Sequence, residues 1–151
     1  MRAVAQRVSA AAVVVGEEPV ASINGGLLVL VGVAPQDTEA DATAIANKLA
    51  ALRVFQDGDG KMNRSVAEIG GAVLVVSQFT LLADVRKGRR PSFVGAADPD
   101  IAEPLVQMVA DLVAQHGIAV ATGSFGAHME VHSVNDGPVT IVIETAAGLI
   151  C

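Results

Sequence analysis

Two short segments carry groups suited to chemistry, Ser77-Gln78-Phe79-Thr80-Leu81 and Asn135-Asp136-Gly137-Pro138-Val139-Thr140. The first places three polar side chains where an apolar run, Gly71 to Val76, ends. A hydroxyl there can attack an acyl carbon only if a base takes its proton, and no His or carboxylate adjoins Ser77 or Thr80 in the chain, so a base must come from elsewhere in the fold. The bland alternative is that these side chains bond to nearby backbone. The second segment has turn composition, and a hairpin turn between two strands is its simplest reading. A Gly-Pro bond, however, adopts cis at small cost, and without a Cβ at Gly137 its carbonyls can come close to a ligand. Such a segment could serve as a rigid, backbone-lined selectivity wall.

Other side chains offer weaker signals. Arg86, Lys87, Arg89 and Arg90 place four of the ten basic residues within five positions of a chain whose net charge is −6. Cations around a flexible Gly88 suit phosphate contacts; the alternative is a solvated loop balancing Asp84. His128, Glu130 and His132 alternate along a predicted strand, which would put two imidazoles and a carboxylate on one face, yet alternating polar residues are also what a half-exposed strand shows. His116 falls in the last turn of a predicted helix, where a donor suits the free carbonyls. No Gly-rich phosphate loop of either standard pattern is present, so nucleotide hydrolysis has no support.

The elements that must position these groups alternate between strand and helix. Val4–Val8 and Ala11–Val15 read as strands, with Gly16-Glu17-Glu18-Pro19 turning the chain back. Leu27 to Val33 is apolar at consecutive positions, as in a strand covered on both faces. Asp37-Thr38-Glu39 opens a helix over residues 38–53, with Ile45, Leu49 and Leu52 at helical spacing. Asp57-Gly58-Asp59-Gly60 and Gly70-Gly71 are turn signals, Ala72–Ser77 is a second buried strand, and Asp84–Arg90 is a loop. Asp98-Pro99 opens a second helix that ends at Gly117, with Pro104 a possible kink. Ile118–Ala121, Met129–Val134 and Val139–Ile143 complete the strands, and residues 146–151 read as a C-terminal tail.

At 151 residues the chain suits one domain with one core, built from Val, Ile, Leu and Ala because Trp and Tyr are absent. Its apolar runs fall far short of the roughly 20 residues needed to span a bilayer, and its first residues lack the apolar stretch of a secretory signal, so a cytoplasmic location is expected. The single cysteine, Cys151, is the last residue, which argues against a disulfide or a cysteine nucleophile. The negative charge argues against broad wrapping of nucleic acid and allows a local contact.

Taken together, Gly70-Gly71, Ser77 to Leu81, Arg86-Lys87-Gly88-Arg89-Arg90-Pro91-Ser92-Phe93 and Asn135 to Thr140 resemble the D-aminoacyl-tRNA deacylase family in order and spacing. The likeness also takes in Met1-Arg2-Ala3-Val4, Gln6-Arg7-Val8, Phe55 to Ser65 with its Lys61-Met62-Asn63-Arg64-Ser65, and Gly123-Ser124-Phe125-Gly126-Ala127-His128-Met129, and covers nearly the whole chain, all but the tail from Ala146 onward. The resemblance implies an α/β fold, a single compact domain over residues 1–145 with a mixed, barrel-like sheet and two main helices, assembled as a homodimer. It implies hydrolysis of the ester between a D-amino acid, or glycine, and the terminal ribose of tRNA, with no metal or cofactor.

By the same resemblance, Gly137-Pro138 is a cis pair inserted from the neighbouring subunit to exclude L-amino acids, and Arg7 supports it. Ser77, Gln78, Phe79 and Thr80 form the catalytic wall, with Thr80 the family's proposed nucleophile; activation of water by the ribose 2′-hydroxyl is the alternative. Met129 lines the terminal adenosine pocket. Arg86, Lys87, Arg89 and Arg90 are expected to meet phosphates near the acceptor end. Two competing functions remain: a non-catalytic RNA- or nucleotide-binding module of the same fold, and a metal hydrolase using His128, Glu130 and His132.

Overall fold

The computed structural model describes residues 1–151. In chain order it contains β1 (Arg2–Val15), β2 (Glu18–Ile23), β3 (Gly26–Gly32), α1 (Glu39–Ala51), β4 (Phe55–Gln56), β5 (Met62–Arg64), β6 (Ala72–Ser77), a 3-10 turn (Phe79–Leu82), α2 (Pro99–Gln115), β7 (Ala119–Thr122), β8 (Glu130–Ala146) and β9 (Leu149–Ile150). The main sheet runs β7-β6-β3-β1-β8, with β2 beside the far half of β1 and β9 folded onto the end of β8. The β3–β6 and β6–β7 pairs are parallel and the others antiparallel, so the sheet is mixed and curls into a half-barrel. This is the expected α/β class with two main helices.

The consecutive apolar residues of β3 and β6 are explained by two cores. Leu27, Val29, Val31, Val73 and Val75 face α1 and α2 in the larger core, while Leu28, Leu74 and Val76 face the inside of the curl with Val8, Val13 and Ile23. Strict alternation sends neighbours to opposite faces, and both faces here are dry. Each such Leu or Val contributes about 1.5–3 kcal/mol by leaving water.

One long strand replaces the two expected at the N-terminus. Met1, Ala3 and Ala5 pack toward the helices, whereas Ala11 and Val13, at positions of the same parity, pack inside the curl. The switch is made by irregularities between Gln6 and Val8 and between Val8 and Ala10, which turn the pleat over without ending the strand. The hairpin with β2 then forms as expected.

The helices are shorter than predicted by a residue or two at each end. Thr38 caps α1, its N–H and hydroxyl both donating to the Asp41 carboxylate at 3.0 and 3.1 Å. Pro99 opens α2 after Asp98, and His116 ends it, with Nε2 3.0 Å from Asn47 Oδ1 on α1. The last residues, predicted as a tail, turn at Ala147 and Gly148 so that Leu149 and Ile150 pair with Ala146 and Thr145. The Met1 ammonium lies buried against Asp37 Oδ1 at 2.5 Å and the Thr145 carbonyl at 3.0 Å, which joins β1, the entry to α1 and the end of β8. No helix is long and apolar enough to cross a membrane.

Candidate active site

β6 ends at Ser77, and the chain turns at once into the short 3-10 turn that carries Phe79 and Thr80. Three contacts fix this turn: the Gln78 N–H donates to the Val31 carbonyl at 2.7 Å, the Leu81 N–H to the Gln78 carbonyl at 3.2 Å, and Arg2 Nη1 to the Leu81 carbonyl at 2.6 Å. Gly32 makes room for it, since a Cβ there would lie 2.4 Å from Leu82 Cδ2 and 2.9 Å from the Gln78 carbonyl oxygen. The segment is thus held by the buried strands beneath it.

Ser77, Gln78 and Phe79 form one side of a cavity of about 550 Å³. Apolar side chains dominate the rest of its lining, among them Val76, Phe93, Val106, Phe125 and Met129. Phe79 and Phe93 meet edge to face, 5.0 Å between centroids. Asp98 and His128 are the titratable residues of the lining. Thr80 lies outside it, and its Oγ1 accepts a 2.5 Å hydrogen bond from Gln78 Nε2. No imidazole or carboxylate hydrogen-bonds to Ser77 or Thr80. An amide donor on the threonine oxygen engages a lone pair and opposes its use as a nucleophile.

Asn135 to Thr140 is not a hairpin turn. β8 continues through it, and between the pairs Val8–Asn135 and Gln6–Thr140 β1 advances two residues while β8 advances five, so three residues bulge outward. The Asn135 side chain spans the neck of the bulge: Oδ1 accepts from the Val139 N–H at 2.8 Å and Nδ2 donates to Thr140 Oγ1 at 3.0 Å. At its tip the Gly137-Pro138 bond is cis, and Gly137 has φ of +144°, a conformation that L side chains rarely adopt. Arg7 reaches it from below. Its Nε donates to the Asp136 carbonyl at 2.8 Å and its Nη1 to the Val54 carbonyl at 2.6 Å, with the guanidinium almost wholly buried.

The two segments do not meet. Gln6, beside Thr140, is level with Leu28 and Leu74, three residues short of Ser77 along the sheet. With three strand spacings between β8 and β6, the separation is roughly 15 Å across and roughly 10 Å along. Neither Gly137 nor Pro138 lines the cavity, and both are exposed on a stretch of β8 that has β1 on one side and no strand on the other, since β9 pairs only with Thr145 and Ala146.

Of the remaining candidates, Met129 lines the cavity. Arg86 is held bidentately by Asp84, with Nε to Oδ1 at 2.9 Å and Nη2 to Oδ2 at 2.7 Å, whereas Lys87, Arg89 and Arg90 are exposed and form no ion pair. The three-residue metal set does not assemble. His132 Nε2 lies 3.5 Å from Glu130 Oε2, but β8 begins only at Glu130, so His128 is off the strand at the cavity wall. No three His, Cys, Asp or Glu side chains anywhere converge on one point. Sequence reasoning gave no role to Gly32, Arg2, Asn135, Phe93 or Phe125. A charged residue within a strand of small apolar residues was the available signal for Arg2, and a lone Gly ending an apolar strand was that for Gly32.

Residues 4–144 match the family described as D-Tyr-tRNA(Tyr) deacylase. A D-aminoacyl-tRNA deacylase of a Roseiflexus species is 57% identical over 97% of this chain and 94% of its own length. One from Thermotoga petrophila is 55% identical over 97% and 98%. Among solved structures, a c-Myc DNA Unwinding Element Binding Protein superposes with a TM-score of 0.90 at 39% identity, covering 97% of this chain and 100% of that one. A probable eukaryotic D-amino acid tRNA deacylase shares the fold, with a TM-score of 0.80 at 18% identity over 93% and 97%. With a family match spanning nearly its full length and relatives more than half identical, the chain belongs to the D-aminoacyl-tRNA deacylase family of enzymes.

Proposed function

We propose that the protein hydrolyses the ester joining a D-amino acid, or glycine, to the 3′-terminal ribose of tRNA, releasing both. The observation that carries this reading is the cavity: apolar, large enough for a nucleoside with an acyl group, and bordered on one side by the rigid Ser77-Gln78-Phe79 turn. The first N–H groups of a helical turn have no intrahelical partner. On this reading the N–H groups of Phe79 and Thr80 receive the oxyanion that forms as the ester is attacked. With Thr80 outside the cavity and hydrogen-bonded to Gln78, water aided by the substrate's 2′-hydroxyl is the attacking group. Met129 and Phe125 enclose the terminal base. Arg86, Lys87, Arg89 and Arg90 form the cationic loop toward the phosphates that precede it.

Handedness is read by Gly137-Pro138 through exclusion, its carbonyls taking the substrate's amino group and leaving no space for an L side chain. Because these residues stand roughly 15 Å or more from Ser77 on one chain, the wall comes from a second copy. Two features of β8 favour a homodimer: its outer edge is unpaired except where β9 covers Thr145 and Ala146, and Val131, Val134 and Val142 are exposed on it. One chain then carries two half-sites.

The test is to offer purified protein matched D- and L-aminoacyl-tRNAs and to follow release of the amino acid. Hydrolysis of the D-form alone is expected; equal hydrolysis of both, or of neither, refutes the reading. A second reading, binding of nucleic acid without chemistry, draws on the name of the 39%-identical structure. It predicts that DNA oligonucleotides bind as tightly as tRNA and that no ester is cleaved.

A further inference from the structure

The basic loop is built asymmetrically. Asp84 and Ser92 exchange both backbone bonds, Asp84 N–H to the Ser92 carbonyl at 2.7 Å and Ser92 N–H to the Asp84 carbonyl at 2.9 Å, closing the loop of residues 85–91. The Asp84 carboxylate then accepts three bonds from Arg86, one from its N–H at 3.0 Å and two from its guanidinium. Those bonds hold the Asp84 carboxyl below its usual range. Ser92 leads directly to Phe93, which packs on Phe79 at the cavity wall. One aspartate thus ties the loop to the cavity through its backbone and shapes the loop through its side chain.

We propose that Asp84 and Arg86 form a clasp that sets the loop beside the cavity, so that Lys87, Arg89 and Arg90, rather than Arg86, meet the substrate phosphates. Asp84 is then a positioning residue for tRNA, although its charge has the wrong sign for a polyanion. This inference rests on the tRNA-ester reading. It departs from simple electrostatics in a way that can be measured. If Arg86 met phosphate directly, neutralising Asp84 would remove a repulsive charge and free a cation, and tRNA would bind more tightly. If the pair is a clasp, neutralising Asp84 loosens the loop and binding weakens.

The experiment measures kcat and KM for D-aminoacyl-tRNA across a range of monovalent salt, for the wild type, Asp84→Asn, Arg86→Gln, the double variant, Arg89→Gln and Arg90→Gln. Thermal melts accompany each, and the exposed position of the loop predicts little change in them. Asp84→Asn and Arg86→Gln should each raise KM at least about threefold, with the change in KM rather than kcat, and the double variant should be no worse than the poorer single one. Arg89→Gln and Arg90→Gln should each reduce the slope of log KM against log salt by roughly 0.7, while Arg86→Gln leaves that slope intact. A KM that falls or stays level in Asp84→Asn overturns the clasp, as does a slope lost in Arg86→Gln to the same extent as in Arg89→Gln. A wild type that cleaves no D-aminoacyl-tRNA instead removes the functional reading on which the clasp rests.

Discussion

Ser77 to Leu81 leaves a strand whose preceding four residues are fully buried between two parallel neighbours, whereas Gly137-Pro138 bulges from a stretch of strand that is paired on one side only. The first segment inherits its position from the core. The second is exposed and depends on a few polar anchors, the Asn135 side chain at its neck and the Arg7 guanidinium beneath its tip. The difference suits the proposed division of labour. A wall that stabilises developing charge must be preorganised within its own chain, while a wall that excludes the wrong hand can be delivered across an interface if its own shape is rigid.

The largest effect should come from cutting the deeper anchor. Arg7→Met keeps the apolar stem but removes the bonds to the Asp136 and Val54 carbonyls, leaving the buried Val54 oxygen without that donor. Loss of charged hydrogen bonds in a buried setting predicts destabilisation by about 2–4 kcal/mol. A tip displaced by about 1 Å predicts roughly 100-fold slower deacylation. Urea melts and deacylation rates measure the two separately; near-normal activity would show that the bulge holds its shape without Arg7.

Gly137→Ala tests the tip alone. A Cβ there would lie 2.8 Å from Val139 Cγ2, 2.9 Å from the Val139 nitrogen and 3.2 Å from Arg7 Nη2, at a φ of +144°. Strain of this kind costs about 1–3 kcal/mol, which a domain of this size survives. Activity on a D-substrate should fall about 10-fold or more while the cooperative melt persists. If activity and stability fell strictly in parallel, the bulge would be a structural feature and not a reading wall.

On the other side of the comparison, the proposed mechanism, in which backbone donors and not the threonine oxygen carry the rate, predicts that Thr80→Val slows deacylation less than about fivefold. Removal of a true nucleophile costs on the order of a million-fold in a hydrolase that depends on one. The two outcomes are too far apart to confuse in a single-turnover assay.

Much of this architecture was legible in the sequence because the signals were local. The consecutive apolar residues of β3 and β6 demanded burial on both faces, and the Thr38 and Asp98-Pro99 starts marked both helices within a residue or two. What was not legible depends on register. Nothing local distinguishes a hairpin turn at Asn135 to Thr140 from a bulge in a continuous strand; that is decided by β1 pairing with residues on both sides of it. The flip of β1 from one core to the other was hidden for the same reason, since small residues such as Ala5 and Ala11 fit either face. The alternation of His128, Glu130 and His132 left a metal set open beside the half-exposed strand, and only the start of β8 at Glu130, two residues past the first histidine, separates the two.

The smallest expected effect on activity concerns the far end of the same edge strand. Asp41 is buried, which by itself raises its pKa, but hydrogen bonds from the Gly148 and Thr38 N–H groups outweigh burial and bring it down to about 2. A carboxyl depressed from roughly 3.9 in the unfolded chain contributes about 2 kcal/mol of stability, present above about pH 4 and lost as pH falls toward the folded value near 2. Asp41→Asn should therefore lose about that much stability at pH 7, and the gap from wild type should narrow as acid protonates Asp41 in the natural chain. Urea melts at pH 7 and pH 3 measure the gap. Activity at pH 7 should change little, because Asp41 holds the turn after β8 through Gly148, and neither Arg7 nor Asn135 relies on it. A loss of D-substrate hydrolysis comparable to that of Arg7→Met would mean that the edge strand moves as one body, and that the bulge is positioned by its far end as much as by its own anchors.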